Sequence, residues 1–96
     1  MFVLVEHFIS DPAVFWSSVE YSLAALPTFL KLHQCLPTPD GTHAVCVWEA
    51  GQMEEVSGFL EAYVGHVARN VYYPVEASVG IAMPTGLPAR PDAAVA

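Results

Sequence analysis

Two stretches of the chain combine hydrophobic residues typical of β-strands with polar side chains that are costly to bury. Residues 2–9 mix β-branched and aromatic side chains but carry Glu6 and His7 in their middle. Residues 29–36, FLKLHQCL, insert an ammonium, an imidazole, an amide and a thiol among leucines. A strand that only builds a core would carry valine or isoleucine at such positions. The two segments are therefore predicted to be strands that line a binding or catalytic site.

The hydrophobic periodicity predicts four strands and two helices. Pro12 suits the first turn of a helix, and Pro27 ends the first helical pattern. Pro74 lacks a backbone N–H, so it favours an edge strand or a bulge. The predicted elements are, in order, a strand at 2–9, a helix at 12–25, strands at 29–36 and 42–49, a helix at 51–70 and a strand at 71–77.

The order βαββαβ predicts an α+β fold of the ferredoxin-like type, with an antiparallel sheet and both helices on one face. A single domain is expected over residues 1–83. A Pro/Ala-rich tail at 84–96 is expected to be mobile or to lie across a partner. Two helices cover only one face of the sheet, so the other face needs a second apolar surface.

Composition and charge narrow the possible partners. Hydrophobic residues make up 54% of the 96 residues and charged residues only 14%, below the roughly 25% that is usual in soluble domains. This excess predicts a homodimer. A net charge of −7 with three cationic residues argues against nucleic-acid binding. No apolar run reaches the ~18 residues of a membrane span, and a cytoplasmic location is expected because no signal-peptide pattern is found.

Strand alternation assigns the polar residues to faces of the sheet. Lys31, His33 and Cys35 would share one face, while the leucines between them pack on the helices. The polar face would then point toward the sheet of the partner subunit. His7 is expected on this same face, because Leu4 and Phe8 are suitable partners for the helices.

The register of the hairpin between the second and third strands has two solutions. A tight two-residue turn places Cys35 opposite Cys46 and brings Trp48 onto the polar face. A loop one residue longer places Lys31 opposite Glu49 and buries Trp48 beneath the helices. A one-residue slip exchanges every side chain between the faces, and the sequence leaves both registers open.

The element order, the VWEA ending of the third strand and the segment NVYYPVEA resemble the dimeric α+β barrel superfamily. The resemblance covers about residues 2–77. This superfamily includes antibiotic-biosynthesis monooxygenases, haem-degrading monooxygenases, polyketide cyclases and muconolactone isomerases. The resemblance implies a homodimer whose facing sheets form a barrel and whose members hold ligands in its interior.

The preferred functional prediction is a small-molecule site without a tightly bound cofactor. Imidazole exchanges protons near neutral pH, so His7 and His33 are the candidate catalytic acid and base. An inward-pointing lysine would stabilise an enolate or phenolate oxygen, and a tyrosine would donate a hydrogen bond. Cofactor-free oxygenation, cyclisation or isomerisation would suit such a site. The candidate substrate-binding residues are Lys31, Cys35, Trp48, Tyr63 and Tyr73.

Two alternatives use the same residues differently. The first is haem or a transition metal, although no two histidines have HxH or HxxxH spacing. Resemblance to haem-degrading monooxygenases draws attention to His66, because those proteins take their axial histidine from the later part of the second helix. The second alternative is a non-catalytic dimer, in which Cys35 and Cys46 are small buried hydrophobes and the histidines are satisfied structural groups.

Overall fold

Four antiparallel strands and two helices make up the part of the chain that the computed structural model describes, residues 1–84. The strands form one sheet in the order β2-β3-β1-β4, which matches the ferredoxin-like arrangement and confirms the predicted α+β class. The predicted tail at 84–96 lies, from residue 85 onward, outside the described residues. The elements are β1 (Phe2–Ile9), α1 (Pro12–Ala24), β2 (Lys31–Pro37), β3 (His43–Glu49), α2 (Met53–Val64) and β4 (Ala68–Pro74), followed by a 3-10 turn at Ala77–Val79.

Both helices have recognisable N-terminal caps. The Asp11 side chain accepts a hydrogen bond from the Val14 backbone N–H (3.2 Å), and Pro12 occupies the first turn of α1; both features stabilise a helix start. At the start of α2, the Glu55 carboxylate accepts from the backbone N–H of Gln52 (2.8 Å). Within residues 1–84, neither helix has the length and hydropathy that crossing a membrane requires.

The second helix ends earlier than predicted. The apolar spacing suggested a helix up to residue 70, but α2 ends at Val64, with Gly65 as its C-cap. The chain then turns, and the backbone N–H of Val67 donates to the carbonyl of Val64 (3.1 Å). β4 therefore begins at Ala68, three residues before the predicted start. It lies at an edge of the sheet, which confirms the position expected from Pro74.

The core lies between the sheet and the two helices. On β1, Val3 and Val5 are fully buried, and the helices supply Phe15 from α1 and apolar residues from α2. Because residues i and i+2 share a face of a strand, the buried positions identify the side of each strand that the helices cover. We call this the helix side and the opposite face of the sheet the outer side. The core consists of Val3, Val5, Ile9, Phe15, Leu30, Ala44, Cys46, Trp48, Ala50, Val56, Leu60, Val64 and Val67.

The hairpin of β2 and β3 combines both predicted registers. Near the loop Cys35 pairs with Cys46, and at the far end Lys31 pairs with Glu49, with a register shift between Leu32 and Gln34. Such a shift is a β-bulge, in which one extra residue is inserted into one strand. The extra residue is His33. The bulge explains why neither register alone describes the hairpin.

The core contact of Phe15 gives a test of this packing. Phe15 is 1% exposed, so Phe15→Ala should lower the free energy of unfolding by about 3–5 kcal/mol, as expected for a buried aromatic side chain. Tyr21, on the same helix, is 72% exposed, and Tyr21→Ala should cost about 1 kcal/mol or less. Urea unfolding followed by circular dichroism measures both values. Equal losses for the two variants would contradict the assigned helix side.

Candidate functional site

The predicted site residues lie on two different sides of the sheet. His7, Cys35 and Trp48 point to the helix side, where they belong to or pack on the core. Lys31 and His33 lie on the outer side, where each is associated with Glu49. The expectation that His7 and Cys35 share a face with Lys31 and His33 is therefore wrong. Two features account for it. On β1, Val3 and Val5 face the helices, so His7, two residues further along, faces them as well. On β2, the extra residue at His33 reverses the alternation of side chains, so Cys35 faces the helices.

His7 is the buried polar residue at the centre of the helix side. It is 2% exposed, and its ring makes an edge contact with Phe15 of α1, with ring centroids 5.2 Å apart. The small Ala44 is its partner on β3, and Asn70 is its partner on β4. Burial lowers the pKa of His7 below its ordinary value of 6.5, more than the neighbouring Asn70 and Glu61 raise it. The imidazole is therefore neutral at pH 7.

A chain of hydrogen bonds determines which nitrogen of His7 carries the proton. Glu61 Oε2 can only accept, so the Asn70 side-chain amide donates to it (2.8 Å). Asn70 Oδ1 then faces His7 Nδ1 at 2.6 Å, and because an amide oxygen only accepts, Nδ1 must donate. In the neutral ring the lone pair is left on Nε2. Within residues 1–84, no hydrogen bond engages Nε2.

Tyr72 completes this chain at its solvent end. Its hydroxyl donates to the same carboxylate oxygen, Glu61 Oε2, at 2.5 Å. Burial, together with the hydrogen bond and negative charge of Glu61, raises the pKa of Tyr72 above its ordinary value, so the hydroxyl stays protonated. Glu61 is exposed, whereas Asn70 and Tyr72 are half-buried. The four residues therefore link a buried imidazole to the surface; we call them the His7 network.

Aromatic residues form a second group on the helix side. Trp48 contacts Phe59 (ring centroids 6.0 Å apart), Phe59 contacts Tyr63 (4.9 Å), and Tyr63 contacts Tyr21 (6.1 Å). Trp48 is 3% exposed, and its indole N–H is buried without an acceptor among residues 1–84. Trp48 lies four positions along β3 from Ala44, the partner of His7, which corresponds to about 13 Å. Trp48 and Tyr63 thus share the layer of the His7 network but are not part of it.

The outer side carries a carboxylate at the middle of β1. Glu6 Oε2 lies 3.1 Å from His43 Nε2, and the hydroxyl of Tyr73 donates to Glu6 Oε1 (3.3 Å). Next to this group, Phe8 packs against His43, with ring centroids 4.9 Å apart, and Arg69 Cζ lies over the Phe8 ring, 4.1 Å from its centroid. Tyr73 is therefore held by Glu6 rather than placed beside either predicted catalytic histidine.

His33 has a carboxylate partner of its own. Its Nε2 lies 2.9 Å from Glu49 Oε1, and its side chain is 5% exposed. Phe2 packs against the imidazole, with ring centroids 5.5 Å apart. His33 and His7 lie on opposite sides of one sheet, so a molecule on the helix side that reaches His7 cannot contact His33. The predicted pair of histidines does not form a joint acid–base site.

Neither the position of His66 nor the grouping of other possible ligands within residues 1–84 matches the haem or metal alternative. His66 was expected in the later part of the second helix, but it lies beyond the helix end, after Gly65, and is exposed. Among residues 1–84, no three His, Cys, Asp or Glu side chains are grouped so that they could hold a metal ion.

The sequence prediction did not include Asn70 and Glu61 among the site residues. The second helix was predicted to extend to Asn70, and Glu61, within that helix, was not singled out. A signal was present, because an asparagine within a strand is unusual and marks a polar partner across the sheet. Recognising this signal requires the correct end of α2, because a helix predicted up to residue 70 leaves Asn70 outside the strand.

Comparison with protein-family models, with curated proteins and with solved structures finds no match to this chain. The interpretation of the site therefore depends on its geometry.

The lowered pKa of His7 predicts a pH dependence of stability. Below about pH 6.5, the ordinary value, the unfolded chain takes up a proton that the buried imidazole resists, so the free energy of unfolding should fall as the pH falls. His7→Gln should remove this contribution and flatten the profile between about pH 5 and 7. Urea unfolding at a series of pH values measures it.

His43→Gln is the matched control for this pH profile. His43 lies on the outer side and is partly exposed, and its charge is the smallest of the influences on the pKa of His7, so its replacement should leave most of the contribution of His7 in place. If the two variants showed the same profile as the wild-type protein, burial of a neutral His7 would be wrong.

Proposed function

We propose that this protein binds a small organic molecule between the sheet and the helices and that His7 transfers a proton to or from it. The observation that carries the proposal is the hydrogen-bond chain from Glu61 through Asn70 to His7. It orients a neutral imidazole with Nδ1 as donor and Nε2 as the basic atom. An amide that orients a catalytic histidine through its second nitrogen is an established arrangement in general-base sites.

The surroundings of His7 favour a largely apolar ligand. Phe15 lies against the imidazole, and most of the core residues between the sheet and the helices are aliphatic or aromatic. Trp48 contributes a buried N–H with no acceptor among the described residues, which suits a ligand oxygen at the other end of the layer. A base in such surroundings suits removal of a proton from carbon beside a carbonyl group, as in cyclisation or isomerisation.

The role of the remaining predicted residues follows from their side of the sheet. Lys31, His33 and Tyr73 lie on the outer side, so the proposal assigns them no contact with the ligand of His7. They belong instead to the surface on which we propose that two copies of the chain dimerise. Leu4 of β1 and Val47 of β3 are paired at the middle of this surface, with Tyr73 of β4 beside Leu4 and Gln34 of β2 beside Val47.

Dimerisation through the outer side would bury an apolar strip between two polar pairs. Glu6 with His43 and His33 with Glu49 are paired within one chain, so they would enter the interface with hydrogen-bond partners already present. The apolar centre would provide the driving force. This arrangement corresponds to the barrel of facing sheets that the sequence resemblance implies.

Proton exchange tests the role of His7. Small aromatic compounds with an acidic C–H beside a carbonyl group, such as 2-tetralone and aryl 2-oxo acids, would be incubated with the protein in D₂O and followed by proton NMR. The wild-type protein should accelerate deuterium uptake by at least one probe. His7→Gln should reduce that acceleration by about 100-fold or more, the usual contribution of a general base.

The matched control is His33→Gln, on the opposite side of the sheet, which should retain the acceleration. Melting temperatures of both variants identify any loss that arises from unfolding. Absence of acceleration by the wild-type protein with every probe, or equal acceleration by His7→Gln, would contradict the proposed base.

Sedimentation velocity tests the proposed dimer. The wild-type protein should sediment as a dimer, and Val47→Lys should sediment as a monomer because a charge at the centre of an apolar interface is strongly unfavourable. Leu23→Lys is the control, since Leu23 is 38% exposed on α1. A monomeric wild-type protein, or a dimer that Val47→Lys leaves intact, would contradict the outer side as the interface.

A further inference from the structure

The bulge at His33 places the two cysteines of the chain directly opposite each other. Cys35 of β2 pairs with Cys46 of β3. If the register of Lys31 and Glu49 continued along the hairpin, Cys35 would oppose Val45 instead and would point to the outer side. The extra residue shifts the register by one, and both cysteines then lie on the helix side, packed in or against the core.

The pairing is of the kind that brings side chains closest together. Thr38 and His43, at the loop end of the hairpin, are a hydrogen-bonded pair, with the Thr38 N–H donating to the His43 carbonyl (2.8 Å). Hydrogen-bonded and non-hydrogen-bonded pairs alternate along an antiparallel ladder. Cys35 and Cys46 are three pairs further along, so theirs is a non-hydrogen-bonded pair. Such pairs have Cα atoms about 4.5 Å apart, within the range of about 4.4–6.8 Å found in disulfides.

The two thiols differ in access. Cys46 is 4% exposed on the inner strand β3, whereas Cys35 is half-buried on the edge strand β2. A small oxidant can therefore reach Cys35 before it reaches Cys46, which is buried. Because the two residues are cross-strand partners, the second sulfur lies beside the first.

We propose that Cys35 and Cys46 are a reactive thiol pair that a hydroperoxide oxidises to an intrachain disulfide. The Cys35 thiolate attacks one peroxide oxygen and breaks the O–O bond, which yields the Cys35 sulfenic acid and, after protonation, one molecule of water or alcohol. The Cys46 sulfur then attacks the sulfenic sulfur; the S–O bond breaks, and the hydroxide leaves as water with the Cys46 proton. Two thiols lose two electrons in total, and one hydroperoxide gains them.

The thiol chemistry agrees with this order of reaction. The hydrogen bond from Cys46 lowers the pKa of Cys35 to about 7, so a large fraction is thiolate, the nucleophilic form, at neutral pH. The same hydrogen bond, together with burial, raises the pKa of Cys46. Cys35 is therefore the attacking thiol and Cys46 the resolving thiol. This pairing is independent of the proposed role of His7.

Mass spectrometry of the full chain treated with hydrogen peroxide tests the proposal. Both thiols should disappear together, the intact mass should fall by two hydrogen atoms, and proteolysis should yield one cross-linked product that contains Cys35 and Cys46. The rate should increase as the pH approaches about 7 and then level off, following ionisation of Cys35. Reduction by dithiothreitol should restore both thiols.

Single variants separate the two roles. Cys46→Ala should stop at a Cys35 sulfenic acid that dimedone traps, whereas Cys35→Ser should leave Cys46 unreactive in the folded protein. Cys46→Ser serves as a second variant if Cys46→Ala fails to fold, as judged by circular dichroism. Addition of oxygen atoms without a cross-link in the wild-type protein, cross-links only between chains, or no reaction of Cys35 would each overturn the proposal.

Discussion

The alternation of side chains along β1 is the constraint on which the rest of the structure depends. β1 is paired with β3 on one side and with β4 on the other. The choice of which β1 residues face the helices therefore decides which residues of both neighbouring strands do so. Val3 and Val5 are fully buried there. Because every second residue of a strand shares a face, His7 must follow them into the core. The imidazole is thus placed in the core by the valines that precede it.

Burial of that imidazole requires a hydrogen-bond partner. A buried polar group without one costs about 1–3 kcal/mol, and Asn70 lies directly across the sheet to supply an acceptor. The amide of Asn70 needs an acceptor in turn, which Glu61 provides from α2. The charge of Glu61 stays at the surface, where hydration is retained. A neutral ring, an orienting amide and a solvated carboxylate therefore satisfy one another without placing an ion in the core.

Much of the fold could be predicted from local signals, but the side of the sheet that each residue of β1 faces could not. The bounds of β1, the start of α1 at Pro12 and the edge position of Pro74 each depend on residue types whose effects are local. Leu4 and Phe8 are as hydrophobic as Val3 and Val5, so β1 alone favours neither face. The residue that would have identified the face of His7 is Asn70, its partner on β4, but this strand was predicted to begin too late because the apolar spacing continued past Gly65.

The hairpin shows a different limit of prediction. Each of the two registers was correct for one half of the hairpin, and a bulge connects them. A bulge is decided by how well the whole hairpin packs, since Leu32 and Cys35, three residues apart on β2, both lie on the helix side as partners of Trp48 and Cys46. Strict alternation along 31–36 has no means of showing an extra residue at His33. The candidate pair of cysteines therefore depends on a feature that local patterns do not reveal.

The three strand histidines differ in the partners that surround them. His33 and His43 each contact a carboxylate directly on the outer side, so each forms a charge-compatible pair beside the apolar centre of that face. His7 contacts an amide, and the nearest carboxylate is one hydrogen bond further away. An amide orients the ring without adding a charge beside it, which leaves burial as the main influence on its protonation. Of the three, His7 therefore has the environment suited to a neutral base.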